Sequence, residues 1–313
     1  MNQDIFLHHY PSSPFAEKIR AILGYKNLAW KSVFQPMVMP KPDMQALTGG
    51  YRRIPILQIG NQIICDTMLI CDVLEHLSPE KTLYPTGLKG AARTVAQWAD
   101  GMLFPVAMAY NFQPAGAAHV FKDQPADNLK AFAADRQAMR GGAARMNPAD
   151  ATASYKSYLR RISSMLDGQS FLLGNSPSVA DFAVYHPLWF TRKIVPPVAG
   201  VLDATPALLA WMDRIAAFEQ GEPSKSNATE SIASCANSMP ATSLFGSENT
   251  FQDEHGISLG SQVTITAESF GLEPTAGELI AATRTRYTLR RIDERAGEVL
   301  VHFPRIGFIL KTA

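Results

Sequence analysis

Apolar positions along this chain change period several times, and each change predicts an element. Ile5-Phe6-Leu7 is a short apolar run that reads as a strand. Phe15, Ile19, Ile22 and Leu23 then stand at i, i+4, i+7 and i+8, the spacing of one helix face. Ala29–Phe34 reads as a second strand, parallel to the first. Pro36, Pro40 and Pro42 argue against a regular helix, so a loop is expected as far as Gly49-Gly50. Ile54–Ile59 and Gln62–Cys65 read as a hairpin turned at Gly60-Asn61. Asp66 is placed to cap a helix that turns Ile70, Val73, Leu74 and Leu77 to one side. Residues 1–79 therefore predict β-α-β, a loop, and β-β-α.

From Leu88 the helical period continues through Ala92, Val95, Trp98, Ala99, Met102, Leu103 and Val106, which predicts a long helix kinked near Pro105. Further helices are expected at Ala126–Arg140, at Asp150–Leu166, and from Thr205-Pro206 to Phe218. Ser178-Val179-Ala180-Asp181 is a Ser-x-x-Asp capping box opening another. Residues 86–220 thus predict an all-α domain. Residues 221–258, rich in Ser, Asn, Thr, Gly and Glu, read as a linker with one short helix near Thr229–Ser238. Beyond it, Val263/Ile265, Tyr287/Leu289 and Val299/Val301/Phe303 alternate with polar residues, and Phe308-Ile309-Leu310 is a last strand. Residues 259–313 therefore predict a small β-rich module of a kind that can close into a barrel. The fold class is α+β, multidomain.

Composition narrows the partners. A net charge of +1 offers no basic face for nucleic acid. No apolar run reaches membrane-spanning length, and Met1-Asn2-Gln3-Asp4 does not open a secretory signal, so a cytoplasmic protein is expected. Cys65, Cys71 and Cys235 are too few and scattered for a disulfide framework or a zinc site, and no metal is expected. His8 and His9 lack further ligands at suitable spacing and read as structural.

The candidate chemistry lies at helix starts. Ser13 falls at an N-cap position and Pro14 at the first helical position. Free N–H groups and the positive end of the helix dipole converge there, and a serine hydroxyl on that spot can donate to an anion, a thiolate included. The plainer reading is a helix cap alone, and Ser12 and Tyr10 are rival donors.

The element order, with Ser13-Pro14-Phe15-Ala16-Glu17, Lys41-Pro42-Asp43, Ile54-Pro55 and Asp66-Thr67, resembles the thioredoxin-like domain of glutathione transferases. The first segment is similar to the omega-class active-site segment with serine replacing cysteine, and zeta-class enzymes have serine at the matching place. The resemblance implies that Ser13 is the catalytic hydroxyl and that Pro55 follows a cis peptide. It also implies that the Ile54-Pro55 backbone pairs with the cysteinyl part of glutathione, that Asp66 and Thr67 hold the γ-glutamyl end, and that Lys41 meets the glycyl carboxylate. An all-helical second domain fits the same family. The family ends before the C-terminal β-module, so the resemblance covers about two-thirds of the chain.

The activity implied is addition of glutathione, as co-substrate, to a small hydrophobic electrophile by a homodimer. A glutathione-dependent isomerase or reductase is the alternative chemistry, although the omega-type disulfide route needs a protein thiol that Ser13 does not supply. A non-catalytic binding or scaffold protein on the same fold is the third reading.

Overall fold

The computed structural model describes residues 4–238, 244–245, 250–252 and 254–313. Met1–Gln3 of the opening segment and parts of the expected linker lie outside the described residues. β1 (Ile5–His9) leads into α1 (Pro14–Tyr25), which returns through β2 (Ala29–Phe34), parallel to β1 with Leu7 opposite Ser32. The expected loop is interrupted by a helix, α2 (Pro42–Thr48). Pro42 sits in its first turn, where no N–H is required, and Gly49 ends it at φ +76°. Proline bars a helix interior, not a helix start, so the three prolines fixed where α2 begins.

β3 (Ile56–Ile59) runs antiparallel to β1 and β4 (Gln62–Cys65) folds back on it as the hairpin, before α3 (Thr67–Leu77). α4 (Lys89–Trp98) and α5 (Phe104–Asn111) are joined by a π turn over Ala99–Leu103. Pro105 has no N–H for the helical ladder, and the N–H of Phe104 reaches back five residues to Ala99 O. The expected long helix is two α segments with this widened turn between them.

α6 (Pro114–Val120), α7 (Ala126–Arg140), α8 (Pro148–Met165), α9 (Val179–Trp189) and α10 (Pro206–Ala216) complete the helical domain. All of α9 except Trp189 is buried. Its Asp181 carboxylate accepts from Leu172 N–H at 2.9 Å, the Trp211 indole at 3.0 Å, Ser178 N–H at 2.8 Å and the Ser178 hydroxyl at 3.0 Å. That saturation makes Asp181 a folding residue, as the capping box implies.

The stretch read as a linker holds two elements. β5 (Glu222–Lys225) pairs in parallel with β2, and α11 (Ala228–Ala236) begins on Asn227, whose side chain accepts from Glu230 N–H. β5 is exposed at all four positions, so main-chain pairing holds it and no apolar alternation marks it. β6 (Gln262–Ala267), β7 (Thr275–Ala282), β8 (Arg286–Asp293), β9 (Gly297–Pro304) and β10 (Phe308–Thr312) supply the β-rich part.

These strands do not form a separate body. β9 pairs in parallel with β4, Ile63 opposite Val301, and one open sheet runs β10-β6-β7-β8-β9-β4-β3-β1-β2-β5. The strands are not closed into a barrel; β10 and β5 stand at the two ends. One core joins Met44, Leu47, Tyr51 and Ile63 to Val263, Leu279, Leu289, Val301 and Phe303. A second core lies between α1, α3 and the helical domain. Among the described residues, no helix is long and apolar enough to cross a membrane.

Candidate functional site

Strand direction gathers the candidate residues. β3 opposes β1, so His8 faces Ile56, and β4 opposes β3, so Ile56 faces Cys65. The chain leaving β1, the chain entering β3 and the chain leaving β4 therefore meet at one end of the sheet. Those three segments carry Ser13, Ile54-Pro55 and Asp66-Thr67.

Ser13 is the N-cap of α1, its Oγ accepting from Ala16 N–H at 3.2 Å, and is only 2% exposed. Accepting leaves its own proton to donate. Ser12, the rival donor, has its hydroxyl 3.8 Å from Met37 Sδ. Ile54-Pro55 is cis. Asp66 caps α3 at φ +70°, where its Oδ1 accepts from Met68 N–H at 2.9 Å. Burial raises the pKa of Asp66, against the Met68 N–H and the Arg53 cation. Thr67 is buried, and its Oγ1 accepts from Lys18 Nζ at 3.1 Å. Lys41 is buried at the start of α2 and donates to Arg52 O at 3.3 Å, which places it against the Arg52–Pro55 segment. Burial, with Arg136 and Arg52 nearby, pushes the Lys41 pKa down to about 8.

Sequence periodicity missed the charged residues of α1. Glu17, Lys18 and Arg20 lie off the apolar stripe of the helix, yet all three are buried. Lys18 Nζ meets Asp100 Oδ2 at 2.6 Å, and Asp100 Oδ1 accepts from His186 Nε2 at 3.0 Å. A chain of polar contacts thus runs from Thr67 through Lys18 and Asp100 to the centre of α9. Asp100 lies in the π turn that joins α4 to α5. The interruption by Pro105 was the only sequence signal of that turn. Arg20 meets Glu17 at 2.8 Å and donates to His9 Nδ1 at 3.0 Å.

His8 and His9 are structural. His8 Nε2 donates to Gln58 Oε1 at 2.9 Å and Nδ1 accepts from Gln35 at 3.2 Å. Burial pushes the His8 pKa down to about 4 and, with the Arg20 cation, that of His9 to about 3. All three cysteines are buried thiols, and burial pushes Cys71 and Cys235 up to about 12. No group of three or more His, Cys, Asp or Glu able to hold a metal occurs among the described residues. In the helical domain Phe112 packs on Phe121, Phe132 and Phe190, and the Tyr110 hydroxyl donates to Val198 O at 3.1 Å.

Residues 7–82 match the glutathione S-transferase N-terminal domain and residues 139–214 the glutathione S-transferase C-terminal domain. Among solved structures, a GST-like protein from Pseudomonas syringae is 37% identical, with 100% of each chain covered and a TM-score of 0.82. That match includes the C-terminal strands. A glutathione S-transferase from Methylobacillus flagellatus KT, solved with GSH bound, shares the fold at 20% identity, covering 71% of this chain and 100% of its own, TM-score 0.50. The β-etherase LigF from Sphingobium sp. SYK-6 does so at 19% identity, covering 68% of this chain and 95% of its own, TM-score 0.50. No curated protein matches the chain.

Proposed function

Because the chain belongs to the glutathione S-transferase family, we propose that it binds glutathione, stabilises the thiolate and adds it to a small hydrophobic electrophile. The observation that carries this reading is the Ser13 hydroxyl at the N-terminus of α1, at the same end of the sheet as cis-Pro55 and Asp66-Thr67. An unassisted cysteinyl thiol has a pKa of about 8.5 and is mostly protonated at neutral pH. Ser13 donates to the sulfur, and the free N–H groups of α1 add their positive end, so the thiolate is favoured.

The other residues position the peptide. Thr67 accepts from Lys18 and so turns its own proton outward, toward the γ-glutamyl carboxylate at the N-terminus of α3. Asp66 answers the ammonium. Lys41 answers the glycyl carboxylate, and the Ile54-Pro55 backbone receives the cysteinyl residue. Catalysis is thiolate stabilisation with positioning. The three buried cysteines and the serine at 13 disfavour a reductase, which would need an exposed protein thiol. A reducing cytoplasm suits those free thiols.

Ser13→Ala tests the reading. It removes one hydrogen bond to an anion, worth about 1.5–3 kcal/mol. The thiol pKa of bound glutathione, followed by thiolate ultraviolet absorbance, should rise, and turnover of electrophiles should fall by more than about tenfold with affinity little changed. If pKa and turnover both stay put, Ser13 is a cap alone. The proposal includes a two-fold homodimer whose interface leaves out the β4 edge, already filled by β9. Light scattering that finds a monomer at micromolar concentration counts against it.

A further inference from the structure

The turn between β6 and β7 lies against the segment that leads into cis-Pro55. Arg53 Nε donates to Phe270 O at 2.6 Å, and its Nη2 donates to Ser269 O. Its Nη1 is left 3.7 Å from Asp66 Oδ2. Arg52 next to it meets Glu273 at 2.7 Å and Asp135 of α7. The Gly271 N–H donates to Met139 O at 2.7 Å, tying the same turn to α7.

The turn has the backbone for this task. Phe270 and Gly271 are consecutive left-handed residues, at φ +50° and +78°. That conformation is uncommon for a bulky side chain. It turns the carbonyls of residues 269 and 270 toward one guanidinium. A Cβ added at Gly271 would stand 3.3 Å from Met139 Cε and 3.5 Å from Arg53 Cγ, so the turn sits close on both neighbours.

We propose that the β6–β7 turn is a wall of the glutathione site: Ser269 and Phe270 hold Arg53 against Asp66, and Arg53 positions that carboxylate for the ammonium of the peptide. This rests on the glutathione reading above. Two of the three nitrogens of Arg53 are committed to the C-terminal strands, so the third cannot swing away from Asp66. The charged groups acting on Asp66 are the Arg53 and Lys18 cations and the Asp100 carboxylate, with Met68 N–H bonded to it. Burial raises the Asp66 pKa, and after the Met68 N–H it is Arg53, more than Lys18, that opposes this rise and favours the carboxylate. Arg53 is a positioning residue, acting through Asp66, and the C-terminal strands contribute the turn that holds it.

The test is calorimetric titration of glutathione into the full chain at several pH values, with an N-acetylated glutathione that lacks the ammonium as second probe. Arg53→Gln should weaken glutathione roughly tenfold at neutral pH, and affinity should fade at a higher pH than in the parent as acid is added. Arg53→Lys should restore part of the loss. Gly271→Val, which leaves Arg53 in place but disturbs the turn, should reproduce it. The acetylated probe should bind parent and variants alike. Variants that follow the parent at every pH, or an acetylated probe that loses as much as glutathione, overturn the inference while glutathione binding itself stands. A parent chain that takes up no glutathione overturns both.

Discussion

Lys18 Nζ lies 2.6 Å from Asp100 Oδ2, and the two residues tie α1 of the thioredoxin-like domain to the π turn of the helical domain. Lys18 is 1% exposed, so its charge has exchanged water for Asp100 and the Thr67 hydroxyl. Burial lowers the Lys18 pKa, but Asp100, Cys71 and Asp66 together outweigh that and the net shift is upward.

Removing one member of this pair leaves a buried ammonium without its counter-ion. Asp100→Ala should cost about 3 kcal/mol, the low end for a broken buried pair because Asp100 keeps some solvent contact. The double variant Lys18→Met, Asp100→Leu should recover most of that loss. Urea unfolding of the single and double variants measures both. An Asp100→Ala protein as stable as the parent would show that water already reaches Lys18.

Four buried histidines, His8, His9, His186 and His302, predict sensitivity to acid, and burial lowers the pKa of His186 as well. Burial pushes the pKa of His8 down to about 4, of His9 to about 3 and of His302, with Arg286 beside it, to about 3. These folded values lie below the unfolded value, so the unfolded chain binds more protons as pH falls. The stability is fully present above about pH 6.5 and is lost below it, at up to roughly 5 kcal/mol per pH unit for four groups. Unfolding free energies measured from neutral pH down to about pH 5 should show this slope. His302→Gln should lower it by about a quarter. A flat profile would mean these rings bind protons in the folded protein as they do in the unfolded chain.

Asp181 accepts four hydrogen bonds that nothing else nearby replaces. Asp181→Ala strands buried donors of Leu172, Ser178 and Trp211, at about 1–3 kcal/mol for each. The melting temperature should drop by many degrees while the folded fraction keeps its glutathione affinity. Normal stability with lost affinity would contradict the folding role.

Ending the chain at residue 258 should yield a protein that aggregates. It removes β9 from the β4 edge and uncovers Met44, Leu47, Tyr51 and Ile63, which share a core with β6–β10. Size-exclusion chromatography and dye binding to exposed apolar surface report this. A soluble, monodisperse fragment that melts cooperatively would show that the two cores are independent.

Local rules in the sequence determined most of the elements and the start of the site. Ser13 with Pro14, the Ile54-Pro55 pair and the Asp66 cap were legible because capping and proline chemistry act over a few residues. The helix faces were legible because burial repeats with the helical period. Three things were decided only by the tertiary structure. β5 carries no apolar signature, since an exposed edge strand is held by main-chain bonds that any sequence can make. The burial of Glu17, Lys18 and Arg20 has no local signal, because a charge is buried only when its partner arrives, and Asp100 lies 82 residues beyond Lys18. The joining of β9 to β4 brings residues some 240 positions apart into register, Ile63 to Val301, through contacts that no local period encodes. That long-range pairing turned a predicted appendage into part of the sheet, and set the β6–β7 turn beside Arg53.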